Sequence, residues 1–250
     1  MRLLNLKSAL AALTIAAMAL VGTAVPGVAA VTSTTLDVAS VSPKAGETVG
    51  VAATVTVTFA TPVANRAAAE RSFSVDAPNA PSGQFSWPDN RTLEFKPDTY
   101  WPAHSVIPLS VGGFKTDITT GSVVRGVADI SAHTFTVSID GELARTMPAS
   151  MGKPSRPTPT GNFSALSKER TVVMDSRTIG IPLSDPEGYK LTVSYAVRIN
   201  GGGVYVHSAP WSVDSQGYAN VSHGCINLSP DNAAWYFNTV HIGDPVIVQA

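Results

Sequence analysis

The residues best suited to chemistry lie around Cys225, the only cysteine in a chain of 250 residues. It occupies the polar stretch SHGCIN over residues 222–227, and two histidines, His207 and His223, precede it. A thiol that serves only packing is more often found among Leu, Ile and Val. The pattern therefore favours a nucleophilic cysteine assisted by a histidine base.

His207 is the better candidate for that base. An unperturbed thiol with a pKa of ~8.5 is only a few per cent ionised near neutral pH, so the nucleophile needs a proton acceptor. His207 ends the alternating run VYVH over residues 204–207, where a strand would hold its ring on the face that also carries Tyr205. We expect its imidazolium form to lower the pKa of the thiol. His223 lies only two residues from Cys225 and is better placed to shape the turn than to orient a ring.

The turn around Gly224 predicts an oxyanion hole. Gly224 lets the backbone turn sharply, and we expect the N–H groups of His223, Gly224 and Cys225 to converge as an oxyanion hole, each donor contributing roughly 3 kcal/mol. A zinc site made from Cys225, His223 and His207 is an alternative. It lacks a fourth ligand at motif spacing, because the chain has no Cys-x-x-Cys or His-x-x-x-His pair.

These groups must be positioned by the elements of residues 126–250. Alternation over residues 131–139 predicts a strand, with Asp140-Gly141 as its hairpin turn. Residues 171–174 and 191–197 predict two further strands. The polar loop between them, residues 175–190, is long enough to be a lid.

The end of the chain predicts one helix and one strand. Ser229 can cap a helix that Pro230 opens, and this helix is expected to end near Gly243 before a closing strand over residues 245–248. Upstream of Cys225, Trp211 either walls the site or anchors its loop as a buried residue.

Residues 31–125 predict a separate small domain of short strands cut by turns. Residues 55–59 and 106–111 alternate or are rich in β-formers, which favours a sandwich without catalytic residues. His104 is interpreted as a surface or packing residue, and His133 of the second domain as structural. The chain is therefore expected to be mainly β, with domains over residues 31–125 and 126–250.

The first 30 residues have the features of a secretory signal peptide. Arg2 and Lys7 precede an apolar run over residues 9–25, and small residues follow up to a cleavage site after Ala30. We expect export to the periplasm or cell wall, or membrane anchoring if the leader is not cleaved. The net charge of −1 and the 14% of charged residues argue against a nucleic-acid partner.

Together these motifs resemble the L,D-transpeptidases, whose YkuD-type catalytic domain cross-links bacterial peptidoglycan. The resemblance rests on His207, fourteen intervening residues and then SHGCIN, with PTPTG at 157–161, MDS at 174–176 and Gly-Tyr at 188–189. The layout is similar to mycobacterial members with a single immunoglobulin-like domain. It implies an immunoglobulin-like β-sandwich followed by a β-rich catalytic domain with one short C-terminal helix.

The resemblance also implies a role for each site residue. Cys225 would be the nucleophile and His207 the base, with the Ser208 carbonyl holding the imidazole, and residues 175–190 would be a flap over the donor channel. Relatives usually carry Ser-Gly where this chain has Gly202-Gly203. The residues implied to contact or line the substrate site are Met174, Tyr189, Gly202, Gly203, Trp211 and Asn227.

The implied donor is a tetrapeptide stem that loses its terminal D-Ala to form a cysteine thioester. The implied acceptor is the side-chain amine of meso-diaminopimelate on a second stem, so that a 3-3 cross-link results. Carbapenem β-lactams would acylate the same cysteine, and no metal or organic cofactor is required. Two alternatives stay open: an L,D-carboxypeptidase that uses water as acceptor, and a non-catalytic cell-wall-binding protein.

Overall fold

Alternating apolar residues build the first half of the chain as two facing sheets. The computed structural model describes residues 36–250, so the leader expected over residues 1–30 lies outside the described residues. In the strand at residues 55–59 the side chains of Val55, Val57 and Phe59 are buried, as the period-two pattern predicts. They share one core with Ile107 of the opposite sheet.

The elements of this half are, in chain order, β1 (Val38–Ser42), β2 (Thr48–Val49), β3 (Val55–Phe59), α1 (Arg66–Ser72), β4 (Ser74–Val75), β5 (Gly83–Ser86), β6 (Thr92–Pro97), β7 (Val106–Val111) and β8 (Phe114–Thr120). One sheet has the order β1-β3-β6-β5, and the other has the order β2-β8-β7-β4. The helix α1 was not predicted, although Asn65 caps it by accepting the Ala68 N–H at 3.0 Å.

The second half contains two further sheets. Its elements are β9 (Val124–Asp129), β10 (Thr134–Ile139), β11 (Glu142–Pro148), β12 (Gly161–Ser164), β13 (Ser167–Asp175), β14 (Lys190–Arg198), β15 (Tyr205–Ser208), β16 (Ile226–Leu228), α2 (Pro230–Thr239) and β17 (Pro245–Gln249), with 3-10 turns at Ser176–Ile179 and Pro210–Ser215. The sheet orders are β11-β10-β9-β17-β12 and β13-β14-β15-β16. Helix α2 packs against β14 and β15 and closes the core that the two sheets share.

The turn and cap predictions for this half are confirmed, except at one boundary. Asp140 and Gly141 both have positive φ, 51° and 91°, and they join β10 to β11 as a tight hairpin. The Ser229 hydroxyl accepts the Asn232 N–H at the start of α2. The expected end of this helix near Gly243 is wrong, because Val240 already has extended backbone angles and α2 stops at Thr239.

The two halves are joined by direct backbone hydrogen bonds. The Gly50 N–H donates to the Ile242 carbonyl and the Ala52 N–H donates to the Gly243 carbonyl, each at 2.8 Å. Gly243 has φ +89°, and a Cβ at this position would lie 2.6 Å from Ala53. The approach is therefore too close for any other residue without local movement.

A buried carboxyl group lies at this junction. Asp244 is fully buried, and its Oδ2 accepts the His241 N–H at 2.7 Å. Burial raises the pKa of Asp244 to about 7, although backbone hydrogen bonds from His241 and Val124 and, less strongly, the Lys168 ammonium oppose this. A side chain on Gly50 would meet Asp244 Oδ1 at 2.4 Å, so the first half closes over the carboxyl group. None of the helices among residues 36–250 is long and apolar enough to span a membrane.

Candidate active site

Parallel pairing of β15 with β16 brings the candidate base and nucleophile together. Val206 is paired with Ile226, and His207 is paired with Asn227. The same register places Cys225 beside Tyr205, where the two strands begin. Because paired residues point to the same face of a sheet, the side chains of His207 and Cys225 project from one face.

His207 is held as a neutral imidazole with a defined tautomer. Its side chain is only 2% exposed, and Nδ1 lies 2.9 Å from the Ser208 carbonyl oxygen. A carbonyl oxygen only accepts hydrogen bonds, so Nδ1 carries the proton and Nε2 keeps its lone pair. Burial lowers the pKa of His207 to about 4, which leaves the ring ready to accept a proton at neutral pH.

Cys225 is a protonated thiol in this structure. Burial raises its pKa to about 11, and the backbone N–H of Tyr205 opposes this only in part. The thiol contacts the Gly203 carbonyl oxygen at 3.9 Å. The expectation that an imidazolium lowers the pKa of this thiol is wrong for the resting site, because His207 is itself uncharged there.

The turn before Cys225 is held together by Ser222, a residue for which the sequence predicted no separate role. The Ser222 hydroxyl accepts the Gly224 N–H at 3.1 Å and donates to the Cys225 carbonyl at 2.6 Å. Gly224 has φ +123°, a conformation that disfavours any side chain. Of the three expected oxyanion donors, the Gly224 N–H therefore already donates its hydrogen bond inside the turn, to the Ser222 hydroxyl. A serine three residues before the cysteine is a recognisable signal for such a side-chain-to-backbone turn.

Two cavities meet at the thiol. Both have Met174, Tyr189, His223 and Cys225 in their walls. The first, of about 350 Å³, continues along the glycine turn at residues 201–203. The second, of about 380 Å³, continues past His207, Trp211, Ser212 and Asn227.

The cavities divide the residues that the resemblance implied for a single donor site. Gly202 and Gly203 are exposed and line only the first cavity, whereas Asn227 lines only the second. The Asn227 amide is 3% exposed and donates to the Ser212 hydroxyl at 3.1 Å. Tyr189 and Met174 reach both cavities.

Met174 and Trp211 both line cavity walls. Met174 is half-buried at the end of β13 rather than in the core. Trp211 is 56% exposed, with its ring centre 6.0 Å from that of His207. The structure thus favours a wall over a buried anchor for Trp211.

Residues 175–190, here called the covering loop, connect β13 to β14. They reach the turn at residues 222–225, here called the catalytic turn. The loop is closed at its base by the Ser176 N–H to the Tyr189 carbonyl, at 2.9 Å, and by the Tyr189 N–H to the Ser176 hydroxyl, at 3.0 Å. The Tyr189 ring lies 5.0 Å from the His223 ring, and partial burial raises the pKa of this phenol. Tyr189 is therefore a protonated hydroxyl donor beside the thiol.

Two of the other histidines, His104 and His133, lie in structural contacts. His104 Nε2 lies 3.1 Å from Asp140 Oδ2, and His133 Nδ1 lies 3.0 Å from Asn220 Oδ1. Within residues 36–250 no three His, Cys, Asp or Glu side chains are grouped closely enough to hold a metal ion. The zinc alternative has no support in that part of the chain.

Comparison with known proteins gives matches over nearly all of the described chain. Residues 124–248 match the L,D-transpeptidase catalytic domain family, YkuD, and residues 15–112 match the bacterial Ig domain family. L,D-transpeptidase 1 of Mycobacterium tuberculosis is 62% identical over 211 residues, which is 84% of each chain. The probable L,D-transpeptidase 3 of the same species is 50% identical over 94% of this chain and 97% of its own.

Solved structures give the same result. An L,D-transpeptidase from Mycobacterium smegmatis is similar with a TM-score of 0.83 and 67% identity, covering 86% of this chain and 99% of that one. The L,D-transpeptidase LdtMt1 in complex with imipenem has a TM-score of 0.80 and 61% identity over the same shares of each chain. The expected fold, an immunoglobulin-like domain followed by a β-rich catalytic domain, is confirmed.

Proposed function

The chain belongs to the L,D-transpeptidase family, and from this premise we propose that it forms 3-3 cross-links in peptidoglycan through a thioester on Cys225. The observation that supports this most directly is that the thiol is shared by two cavities. A transpeptidase must hold a donor and an acceptor on two sides of one reacting carbon. The two cavities offer such an arrangement.

We assign the donor stem to the first cavity. Its terminal peptide carbonyl would lie against Cys225, with backbone contacts to Gly202 and Gly203 that need no side-chain hydroxyl. The Cys225 and His223 N–H groups would stabilise the oxyanion, with the Tyr189 hydroxyl as a further donor. The Gly224 N–H could join them only by leaving the Ser222 hydroxyl.

The proton movements follow from a neutral thiol and a neutral imidazole. As sulfur bonds to the donor carbonyl, His207 Nε2 takes the thiol proton, because a free thiolate is not available beforehand. The imidazolium then protonates the departing D-Ala amine and leaves a thioester. The acceptor amine attacks this thioester from the second cavity, transfers its proton to His207, and releases Cys225 as the protonated thiol.

His207 lines the second cavity and not the first. The base therefore lies on the side that we assign to the acceptor, the side-chain amine of a meso-diaminopimelate residue. If water took that place, the product would be a tripeptide and the enzyme an L,D-carboxypeptidase. Exclusion of water from this cavity by the bound amine would decide between them.

The test is to incubate the protein with a purified disaccharide tetrapeptide and to analyse the products by mass spectrometry. A dimer that lacks one D-Ala supports the transpeptidase. A tripeptide identifies a carboxypeptidase, and unchanged substrate favours the cell-wall-binding alternative. Cys225→Ala is the matched control, and it should give neither product while retaining the wild-type circular dichroism spectrum.

We further propose that carbapenems acylate Cys225 and that the enzyme works outside the cytoplasmic membrane. The first proposal is supported by the imipenem complex of a relative that is 61% identical. The second is supported by the leader-like composition of residues 1–30. Intact mass after imipenem treatment tests the first, and N-terminal sequencing of native protein tests the second. If residues 1–25 are still present in the native protein, the protein is anchored by its leader and not cleaved.

A further inference from the structure

Three charged or titratable side chains from distant segments meet above the catalytic turn. The Lys153 ammonium forms an ion pair with Glu187 Oε1 and lies 3.5 Å from His223 Nε2. The other carboxylate oxygen, Glu187 Oε2, lies 3.8 Å from the same ring nitrogen. Glu187 belongs to the covering loop, and Lys153 opens the proline-rich segment at residues 153–161.

Lys153 is also fixed to the catalytic turn through its backbone. Its N–H donates to the Ser222 carbonyl at 3.0 Å, and the Ser222 N–H donates to the Met151 carbonyl at 2.9 Å. The ammonium group therefore projects from a segment that is anchored beside Cys225. Any group that pairs with this ammonium is held to the same anchor.

The Glu187 carboxylate is presented to Lys153 by the loop itself. The Glu187 N–H donates to Asp185 Oδ1 at 2.8 Å, which orders the tip of the loop. Lys153, His223 and Arg156 face this carboxylate, and the Lys153 ammonium keeps the pKa of Glu187 below its usual range. The carboxylate is thus charged at neutral pH. With side-chain exposures of 24% for Lys153 and 41% for Glu187, the pair can be opened by solvent.

The other contacts of the covering loop do not hold it to the turn by charge. The Ser176 and Tyr189 hydrogen bonds lie within the loop, and the Tyr189 ring touches His223 only by packing. Both cavities have Tyr189 and Met174 in their walls, so the position of this loop sets access to Cys225 from either side.

We propose that Glu187 is a positioning residue that latches the covering loop onto the catalytic turn through Lys153 and His223, and that this latch opens and closes around substrate. The inference rests on the proposed function, because it assigns the latch to the entry of substrate to Cys225. The two charges of the latch, Lys153 and Glu187, are 34 residues apart in the chain. Neither of them takes part in the proton transfers assigned to His207 and Cys225.

The primary test is hydrogen exchange in the unliganded protein, read by mass spectrometry over residues 176–189. Glu187→Gln and Lys153→Met should each speed exchange of this loop by about two- to five-fold, the range of a partly exposed ion pair. The double variant with Lys153→Glu and Glu187→Lys should restore slow exchange. Lys190→Gln removes a charge from the loop end without touching the turn and serves as the matched control. In wild type, 1 M NaCl should reproduce the Glu187→Gln rate.

Imipenem acylation of the same proteins gives a second readout. Glu187→Gln should raise the concentration needed for half-maximal acylation more than it lowers the limiting rate, because the chemical groups at Cys225 are unchanged. Unchanged exchange in both single variants would overturn the latch. Fast exchange that persists in the double variant would show that Lys153 serves another partner and would also overturn it. Because exchange needs no substrate, failure of wild type to acylate would count against the proposed function and not against the latch.

Discussion

The protonation state of the resting site can be tested by alkylating Cys225 at different pH values. With a pKa of about 11, the thiolate fraction at pH 7 is on the order of 10⁻⁴. A free thiol with a pKa of ~8.5 has a thiolate fraction of about 3% at the same pH. Reaction with iodoacetamide should therefore be about 300-fold slower in the folded protein than in the same protein unfolded in urea. It should then rise about tenfold per pH unit between pH 7 and pH 10.

The assay is intact-protein mass spectrometry over time, and it is unambiguous because the chain has a single cysteine. The informative variant is His207→Ala. A neutral imidazole contributes no charge to the thiol, so this variant should keep the wild-type alkylation profile. Its acylation by imipenem should fall about 10²- to 10⁴-fold, the usual contribution of a general base. His104→Ala, which changes an exposed histidine paired with Asp140, controls for the loss of any imidazole.

One result would refute this reasoning. If wild-type alkylation titrates below pH 7 and shifts above pH 8.5 in folded His207→Ala, the resting pair is a thiolate and an imidazolium. The general-base step proposed above would then be wrong. Burial would then not be the dominant influence on the pKa of either group.

Three further predictions concern stability and the turn. Between pH 3.8 and about pH 7, Asp244 is protonated in the folded state but ionised in the unfolded state. The free energy of unfolding should therefore fall by up to about 4 kcal/mol as the pH rises through that window. Urea titrations should show this slope in wild type and lose it in Asp244→Asn; equal slopes would contradict the buried carboxyl. Ser222→Ala leaves the Gly224 N–H without its partner, so it should lower the free energy of unfolding by about 1–3 kcal/mol and slow acylation by imipenem. Unchanged values in both assays would count against the role of Ser222 in holding the turn. A chain limited to residues 122–250 should still be acylated by imipenem but unfold at a lower temperature than the full protein, whereas a folded yet inert fragment would show that the first half completes the site.

Local patterns predicted the elements well where one physical rule decided them. The alternation of residues 55–59 and the Asp140-Gly141 turn correspond to observed elements, because each depends on neighbouring residues alone. The start of α2 at Ser229 follows from capping in the same way. Its end was misplaced because Val240 leaves the helix for an extended conformation before the glycine.

The site was predictable in its membership but not in its electrostatics. SHGCIN and His207 located the pair, yet the raised pKa of the thiol depends on burial that only the folded chain creates. The separation of Gly203 from Asn227 between two cavities, and the contact of Glu187 with the turn, likewise depend on tertiary packing. No spacing in the sequence encodes them.

The parallel pairing of β15 with β16 has a consequence for how such enzymes can be recognised and altered. The register of His207 with Asn227 is fixed by strand hydrogen bonds and does not depend on the length of the connection between the strands. That connection returns the chain and supplies Ser212 to the Asn227 amide, and it is itself tied to Ser150 and Met151 through Ala219 and Asn220. The length between Ser212 and Ala219 can therefore change without moving the base relative to the nucleophile, provided that these contacts are kept. A search that demands a fixed count between histidine and cysteine would miss chains with the same active geometry, whereas one that asks for two short strands would find them.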